Sequence, residues 1–369
     1  MLRKYRILKM IAVFLISFIV LIVGFGMWFK SLIPKKDTSV EIATIENLSY
    51  LTHNKIAKRG KILTVVTSTD AIGSSGKSTG YELTELARAY LVFEANGFDV
   101  DVASPEGGRP PVVIDDEDMG KYDYAFLNSS VIQNKINNTI ALEDVDLDNY
   151  EGVYFVGGKG AMFDFPENKV IQKMVRNYYE KGKVIGAVCH GPAALVNVRL
   201  NNGDLLLENK RVSSFTNEEE LLLIPNAELI FPFLLQNKLL ENGAEFVEGE
   251  MYLNQVSCDS NLITGQNPWS TWSVAENMIK QLGYKPKLRE ITGEENAVKV
   301  LSNYSKSGKQ KAKELITNMV VKNQMKLDRM LIAKHSIIAV MKGEIGAAVD
   351  MINLVSFAKK QESRRENNN

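Results

Sequence analysis

The stretch KVIGAVCHGPAAL, residues 183–195, sets a thiol beside an imidazole where an apolar run ends and Gly191 and Pro192 start a new element. Cys189 is a nucleophile by type. Ala187 and Gly191, two places either side of it, are small enough to allow the sharp strand-to-helix turn that presents a nucleophile at the end of a sheet. Unpaired N–H groups at a helix start would stabilise a thiolate and an oxyanion beside it. The plain alternative is a buried, inert cysteine at a strand end. The turn favours a reactive thiol, with His190 as its neighbouring acid/base.

A second stretch, AIGSSGKSTG (residues 71–80), is close to a phosphate-binding loop. That motif needs a glycine five places before Gly76, and Ala71 stands there. A metal-binding aspartate is also required, yet the candidate Asp115 follows Pro110 and Pro111, which suit a central strand poorly. The stretch is therefore expected to be a surface loop after a first strand.

The elements around these residues alternate. KILTVVTS, FDVDVAS, YEGVYFVGG and KVIGAV are apolar runs, and YELTELARAYLVFEANG and NKVIQKMVRNYYEKG are helix-like, with Gly97 and Gly182 at C-cap positions. The order predicts an α/β fold, a parallel sheet with helices on both faces. Residues 123–140 are ambiguous and lean to an inserted helix. Another helix (PFLLQNKLLENG), paired short strands near 246–264 and a helix at 271–283 complete the body. Residues 37–60 read as a polar stalk, and from about 286 a Lys-rich helical extension begins. Thr292 and Glu295 form a capping box there. Met330, Leu331, Ile337, Ile338, Val340, Met341 and Ile345 give it an apolar face, and QESRRENNN reads as a disordered tail.

Residues 10–29 (MIAVFLISFIVLIVGFGMWF) are uncharged, long enough as a helix for a bilayer, and lack a cleavage site. They predict a single-pass transmembrane anchor. The flanking Arg3, Lys4, Arg6 and Lys9 place the N-terminus in the cytoplasm and the body outside it. Charge is uneven: residues 37–284 carry twenty Lys/Arg against thirty-five Asp/Glu, between two basic flanks. An acidic body excludes nucleic acid as the main ligand. Cys189 and Cys258 are too few for a disulfide scaffold.

AVCHGPAAL resembles the nucleophile elbow of the DJ-1/PfpI superfamily, the class I glutamine amidotransferase-like group. The resemblance runs over residues 60 to about 284. TGYELTELARAYLVFEANGFDVDVASPEGGRPP resembles the family's first helix and second strand, with its acidic residue falling on Glu85. YFVGGKGAMFDFP resembles the glycine turn facing the cysteine, FTNEEE the segment supplying an acidic partner for the histidine, and NLITGQNPWS the last strand and turn. The branch it is most similar to is glyoxalase III, with the related heat-shock chaperones.

The resemblance implies a flavodoxin-like sheet, no cofactor, a homodimer and a small aldehyde substrate. It divides the chain into an anchor (1–36), a stalk (37–60), a catalytic domain (61–284) and an extension (285–369). Catalytic roles fall on Cys189, His190, Glu85 and Glu220, with Glu218 and Glu219 left as alternatives to Glu220. The oxyanion hole falls on backbone N–H groups of Gly157, Gly158 and His190. The reaction implied is glyoxalase III-type hydro-lyase chemistry, a 2-oxoaldehyde converted to a 2-hydroxy acid through a cysteine hemithioacetal. Two other readings stay open: a stress-response chaperone or redox sensor, and an inactive binding module.

Two departures bear on this. Lys159 stands where relatives often carry histidine, which touches substrate preference. The histidines are His53, His190 and His335, in stalk, elbow and extension, too scattered for a metal site. A glutaminase is also excluded, since its histidine follows the cysteine far downstream and His335 is the only later one.

Overall fold

The computed structural model describes the backbone of residues 2–35 and 37–368, and the side chains of 10–11, 14–20, 23–24, 26–35 and 37–365. The chain forms two compact units, one of residues 37–290 and one joining 1–36 to 291–369.

The larger unit is built on a seven-stranded sheet. In chain order its strands are β1 (Gly60–Val65), β2 (Phe98–Ser104), β3 (Ile140–Ala141), β4 (Gly152–Phe155), β5 (Val184–Val188), β6 (Val256–Asp259) and β7 (Leu262–Gly265). Their spatial order is β6-β7-β5-β4-β1-β2-β3, all parallel except the β6–β7 hairpin at one edge. Every residue of β4 and β5 is buried, as a parallel strand covered on both faces requires.

Alternation along β4 and β5 divides the core between two layers. Phe155, Ile185 and Ala187 share a cluster with Ile171, Met174 and Tyr178 of helix α5 (Lys169–Glu180). From the opposite face, Tyr154 meets Phe93 of α2 (Leu83–Ala95) edge-on, and its hydroxyl donates to Glu85 O at 3.1 Å. On that same face a side chain at Gly186 would collide with Met278 of α7 (Thr271–Gln281). Residues 121–140 resolve as two helices, α3 (Lys121–Leu127) and α4 (Ser130–Asn137), and then β3. The expected inserted helix is thus a pair.

Residues 37–60 do not form a free stalk. Leu48 and Tyr50 are buried, and Asn128 Nδ2 donates to Glu41 O and Ala43 O at 2.8 and 2.9 Å. Apolar residues scattered among polar ones were enough to fasten the segment to its own unit. The loop at 71–80 is a surface turn, and the VVID stretch contributes Val112–Val113, exposed, paired with Tyr81–Glu82 rather than central.

The smaller unit holds α1 (Leu2–Leu32), α8 (Gly293–Thr317, broken at Gly308), α9 (Arg329–Met341) and α10 (Ile345–Asn368). The expected membrane anchor is corrected here. A span needs about 20 consecutive apolar residues, and among the described residues no helix is long and apolar enough to cross a membrane. The single-pass placement, with its cytoplasmic N-terminus and extracytoplasmic body, falls with it; the side chains of Arg3, Lys4, Arg6 and Lys9 lie outside the described residues. The end of α1 is held inside its own unit, where Lys359 Nζ donates to Ser31 O at 2.6 Å and Arg329 donates to Leu32 O.

The capping box of Thr292 and Glu295 is present. On α9, Leu331 is buried with Ile332 and Ala333, whereas Ile337, Val340 and Met341 are exposed, as is Ile345 at the start of α10. The expected disordered tail is helical to Asn368, because Gln361 is buried and Glu362 pairs with Arg329 at 2.8 Å. Asn369 lies outside the described residues.

Candidate active site

Strand register gathers the site. Phe155 of β4 is paired with Ala187 of β5, so Gly157 and Cys189, each two residues further on, face one another past the carboxyl ends of neighbouring strands. That edge is where open α/β sheets take ligands. A Cβ at Gly157 would lie 2.5 Å from Glu85 Oε2 and 2.8 Å from Cys189 Cβ, so only glycine lets the three meet.

Cys189 has φ +59°, left-handed backbone that a residue with a side chain adopts at a cost of about 1–3 kcal/mol. Its own backbone holds it there: its N–H donates to Gly265 O and its carbonyl accepts from Phe215 N, both at 2.9 Å. A side chain at Gly191 would collide with the carbonyl of Phe155, so the turn needs that glycine. The element after the thiol differs from expectation. Residues Gly191–Leu195 form a five-residue 3-10 turn, too short to give the thiolate the dipole of a full helix.

His190 bridges thiol and carboxylate. Its Nδ1 lies 3.3 Å from Cys189 Sγ and its Nε2 lies 2.5 Å from Glu220 Oε2. The ring packs tilted against Phe215 with centroids 4.6 Å apart and lies near-parallel to Phe231 at 6.5 Å, which fixes its plane. Burial raises the Glu220 pKa, but the charge and hydrogen bond of His190 outweigh it and hold the carboxyl below its usual range.

The three glutamates of FTNEEE separate cleanly on α6 (Asn217–Leu223). Glu218 is exposed. Glu219 is fully buried and accepts from Thr216 N, Tyr252 N, Gln266 Nε2 and Asn267 Nδ2, so it ties the loops together. Glu220 is the one that meets His190.

Glu85 sits in the first turn of α2, fully buried, with Oε2 accepting from Gly157 N at 2.7 Å and Oε1 lacking a hydrogen-bond partner. Burial pushes its carboxyl well above the usual range, the charge of Glu82 pushes it further, and Cys189, Gly157 and Lys159 pull the other way. Cys189 is likewise raised, by burial first and the charge of Glu85 second, against the pull of Lys159. The two groups share a site in which burial and their mutual repulsion disfavour charge on either.

Gly157 N–H is taken by Glu85 and does not face a substrate. The N–H groups of Gly158 and His190 make no hydrogen bond among the described residues. Sequence reasoning missed Glu82. It caps α2, accepting from Glu85 N at 2.9 Å and Thr84 Oγ1 at 2.6 Å, and burial raises it to about 7. The E-x-x-E spacing at 82–85 was the available signal. Both cysteines are free, and among the described residues no cluster of His, Cys, Asp or Glu could hold a metal.

The sequence pattern of the DJ-1/PfpI family matches residues 77–281. The chain belongs to the DJ-1/PfpI family. Glyoxalase 3 of Candida albicans is 29% identical over 231 residues, covering 59% of this chain and 97% of the relative. The glutathione-independent glyoxalase HSP31 of Saccharomyces cerevisiae is 30% identical over 243 residues, covering 60% and 98%. Among solved structures, the rapid encystment protein REP24 of Francisella tularensis is 36% identical with a TM-score of 0.58, covering 61% of this chain and 99% of its own. The matched region falls within the larger unit, so membership accounts for the α/β body and leaves the helical unit to this chain.

Proposed function

We propose that the protein is a cofactor-independent glyoxalase-type enzyme that converts a 2-oxoaldehyde such as methylglyoxal to the 2-hydroxy acid, with net uptake of water. The observation that carries the reading is the convergence of Cys189, His190 and the buried Glu85 at one strand edge. The names of the Candida and Saccharomyces relatives support it.

The sulfur attacks the aldehyde carbon while its proton passes to His190 Nδ1, 3.3 Å away, and Glu220 steadies the resulting imidazolium. Glu85 gives its proton to the new alkoxide, forming the hemithioacetal. Now ionised, Glu85 removes the hydrogen on that carbon as a proton, and the electron pair moves toward the neighbouring carbonyl, whose oxygen takes the proton held by His190, to give an enediol. Glu85 returns the proton to the second carbon and takes the hydroxyl proton of the first, which becomes a thioester carbonyl, and water releases the acid and the thiol. Gly158 and His190 N–H groups stabilise the oxyanions. Glu85 serves both as acid and as base because its pKa is raised.

Incubating the full chain with methylglyoxal in the absence of glutathione tests this. Lactate should form with wild type and not with Cys189→Ala. Equal rates in the two proteins would refute it.

A further inference from the structure

The turn after β4, GGKG at 157–160, is glycine except at one place. A Cβ at Gly158 would lie 2.8 Å from Glu82 N and 2.9 Å from Tyr81 Cα, and one at Gly160 would lie 2.7 Å from Thr67 Cγ2 and 2.8 Å from Thr69 O. The backbone is thus clamped between the segments that follow β1 and precede α2. Lys159 is the only side chain the turn carries.

Lys159 is half-buried, and its ammonium makes no hydrogen bond or ion pair among the described residues. Its charge acts on Glu85, Cys189 and Glu220 alike, drawing each toward ionisation. None of them serves as its counter-ion. Glu85 is closed on Gly157 N–H and Glu220 on His190. Of the other acids nearby, Glu82 is committed to the cap of α2 and Glu219 to its five donors. A partly desolvated cation without an anion is complementary to one brought from outside.

We infer that Lys159 is a specificity-determining residue that receives an anionic group on the substrate, so that the site favours 2-oxoaldehydes bearing a carboxylate over neutral ones. The inference rests on Cys189 being the nucleophile of the site described above. Lys159 makes no covalent bond. The nucleophile supplies the aldehyde chemistry and the turn supplies the charge selection.

The test uses the full chain carrying Cys258→Ser, which leaves Cys189 as the sole thiol. Alkylation rates with anionic iodoacetate and neutral iodoacetamide are compared with and without Lys159→Gln. A change in thiol acidity alters both rates equally and cancels in their ratio. The iodoacetate-to-iodoacetamide ratio should fall by roughly tenfold in Lys159→Gln, and Lys159→Arg should retain it. In parallel, the kcat/KM ratio for 4,5-dioxopentanoate over methylglyoxal should fall by a similar factor. An alkylation ratio indifferent to Lys159→Gln would overturn the inference. A ratio that falls while neither aldehyde is consumed would uphold the anion subsite and refute the glyoxalase reading. Turnover of both aldehydes with a selectivity untouched by Lys159→Gln would do the reverse.

Discussion

Glu85 and Glu220 are two buried glutamates at the same thiol–imidazole pair, and their environments drive them in opposite directions. Glu220 faces a ring that can take a proton, at 2.5 Å, and is held ionised. Glu85 faces a thiol, has Glu82 behind it, and is held neutral. Burial opposes charge at both positions, so the partner decides the outcome. In the proposed reaction the difference suits Glu220 to orienting and stabilising His190, and Glu85 to moving protons on the substrate. Two carboxyls pushed apart in this way are a general means of obtaining an acid and a base at one pH.

Substitutions can break the contrast. Glu85→Gln keeps the shape but removes the transferable proton, and should lower kcat by about 10²–10⁴-fold, measured as lactate formed from methylglyoxal. Glu220→Gln should cost less, about tenfold to a hundredfold in kcat, because it leaves the ring in place between Phe215 and Phe231 and removes only its anionic partner. The same change should slow alkylation of Cys189 near neutral pH. Equal losses in the two variants would erase the distinction.

The smallest expected effect concerns Glu82. Its folded-state pKa of about 7 lies above its ordinary 4.5. Between those values the folded state binds more protons than the unfolded, so stability falls as pH rises through that window and levels off above it. Glu82→Gln should flatten this slope, read as Tm against pH from 4 to 8. It should also ease ionisation of Glu85, shifting the alkaline limb of the kcat profile to lower pH.

Much of this site was legible in the sequence because its parts are local. The apolar run ending in Cys189, the glycines at 157, 158 and 191 and the E-E-E cluster each sit within a few residues. The parallel sheet followed from alternating apolar and amphipathic runs, and its register then brought Gly157 against Cys189. What escaped was tertiary. Glu219 and Glu220 are adjacent in sequence, and only the placement of Tyr252, Gln266 and Asn267 around one of them tells which is structural. Occupation of Gly157 N–H by Glu85 and the elevation of Glu82 depend on packing that no spacing encodes. Hydropathy also overreached at the ends: the apolar residues 10–29 suggested an anchor, and polar composition suggested a stalk and a loose tail where buried Tyr50 and Gln361 hold the chain.

The central claim is that Cys189 and a proton-carrying Glu85 together rearrange a 2-oxoaldehyde. The most direct measurement is nuclear magnetic resonance of the reaction of the full chain with methylglyoxal in heavy water, without glutathione. The account predicts lactate formed by wild type, with deuterium on its second carbon only to the extent that Glu85 exchanges the carried proton with solvent, and its loss with Cys189→Ala and with Glu85→Gln. Lactate that forms equally well without the thiol, or without the Glu85 carboxyl, would contradict it.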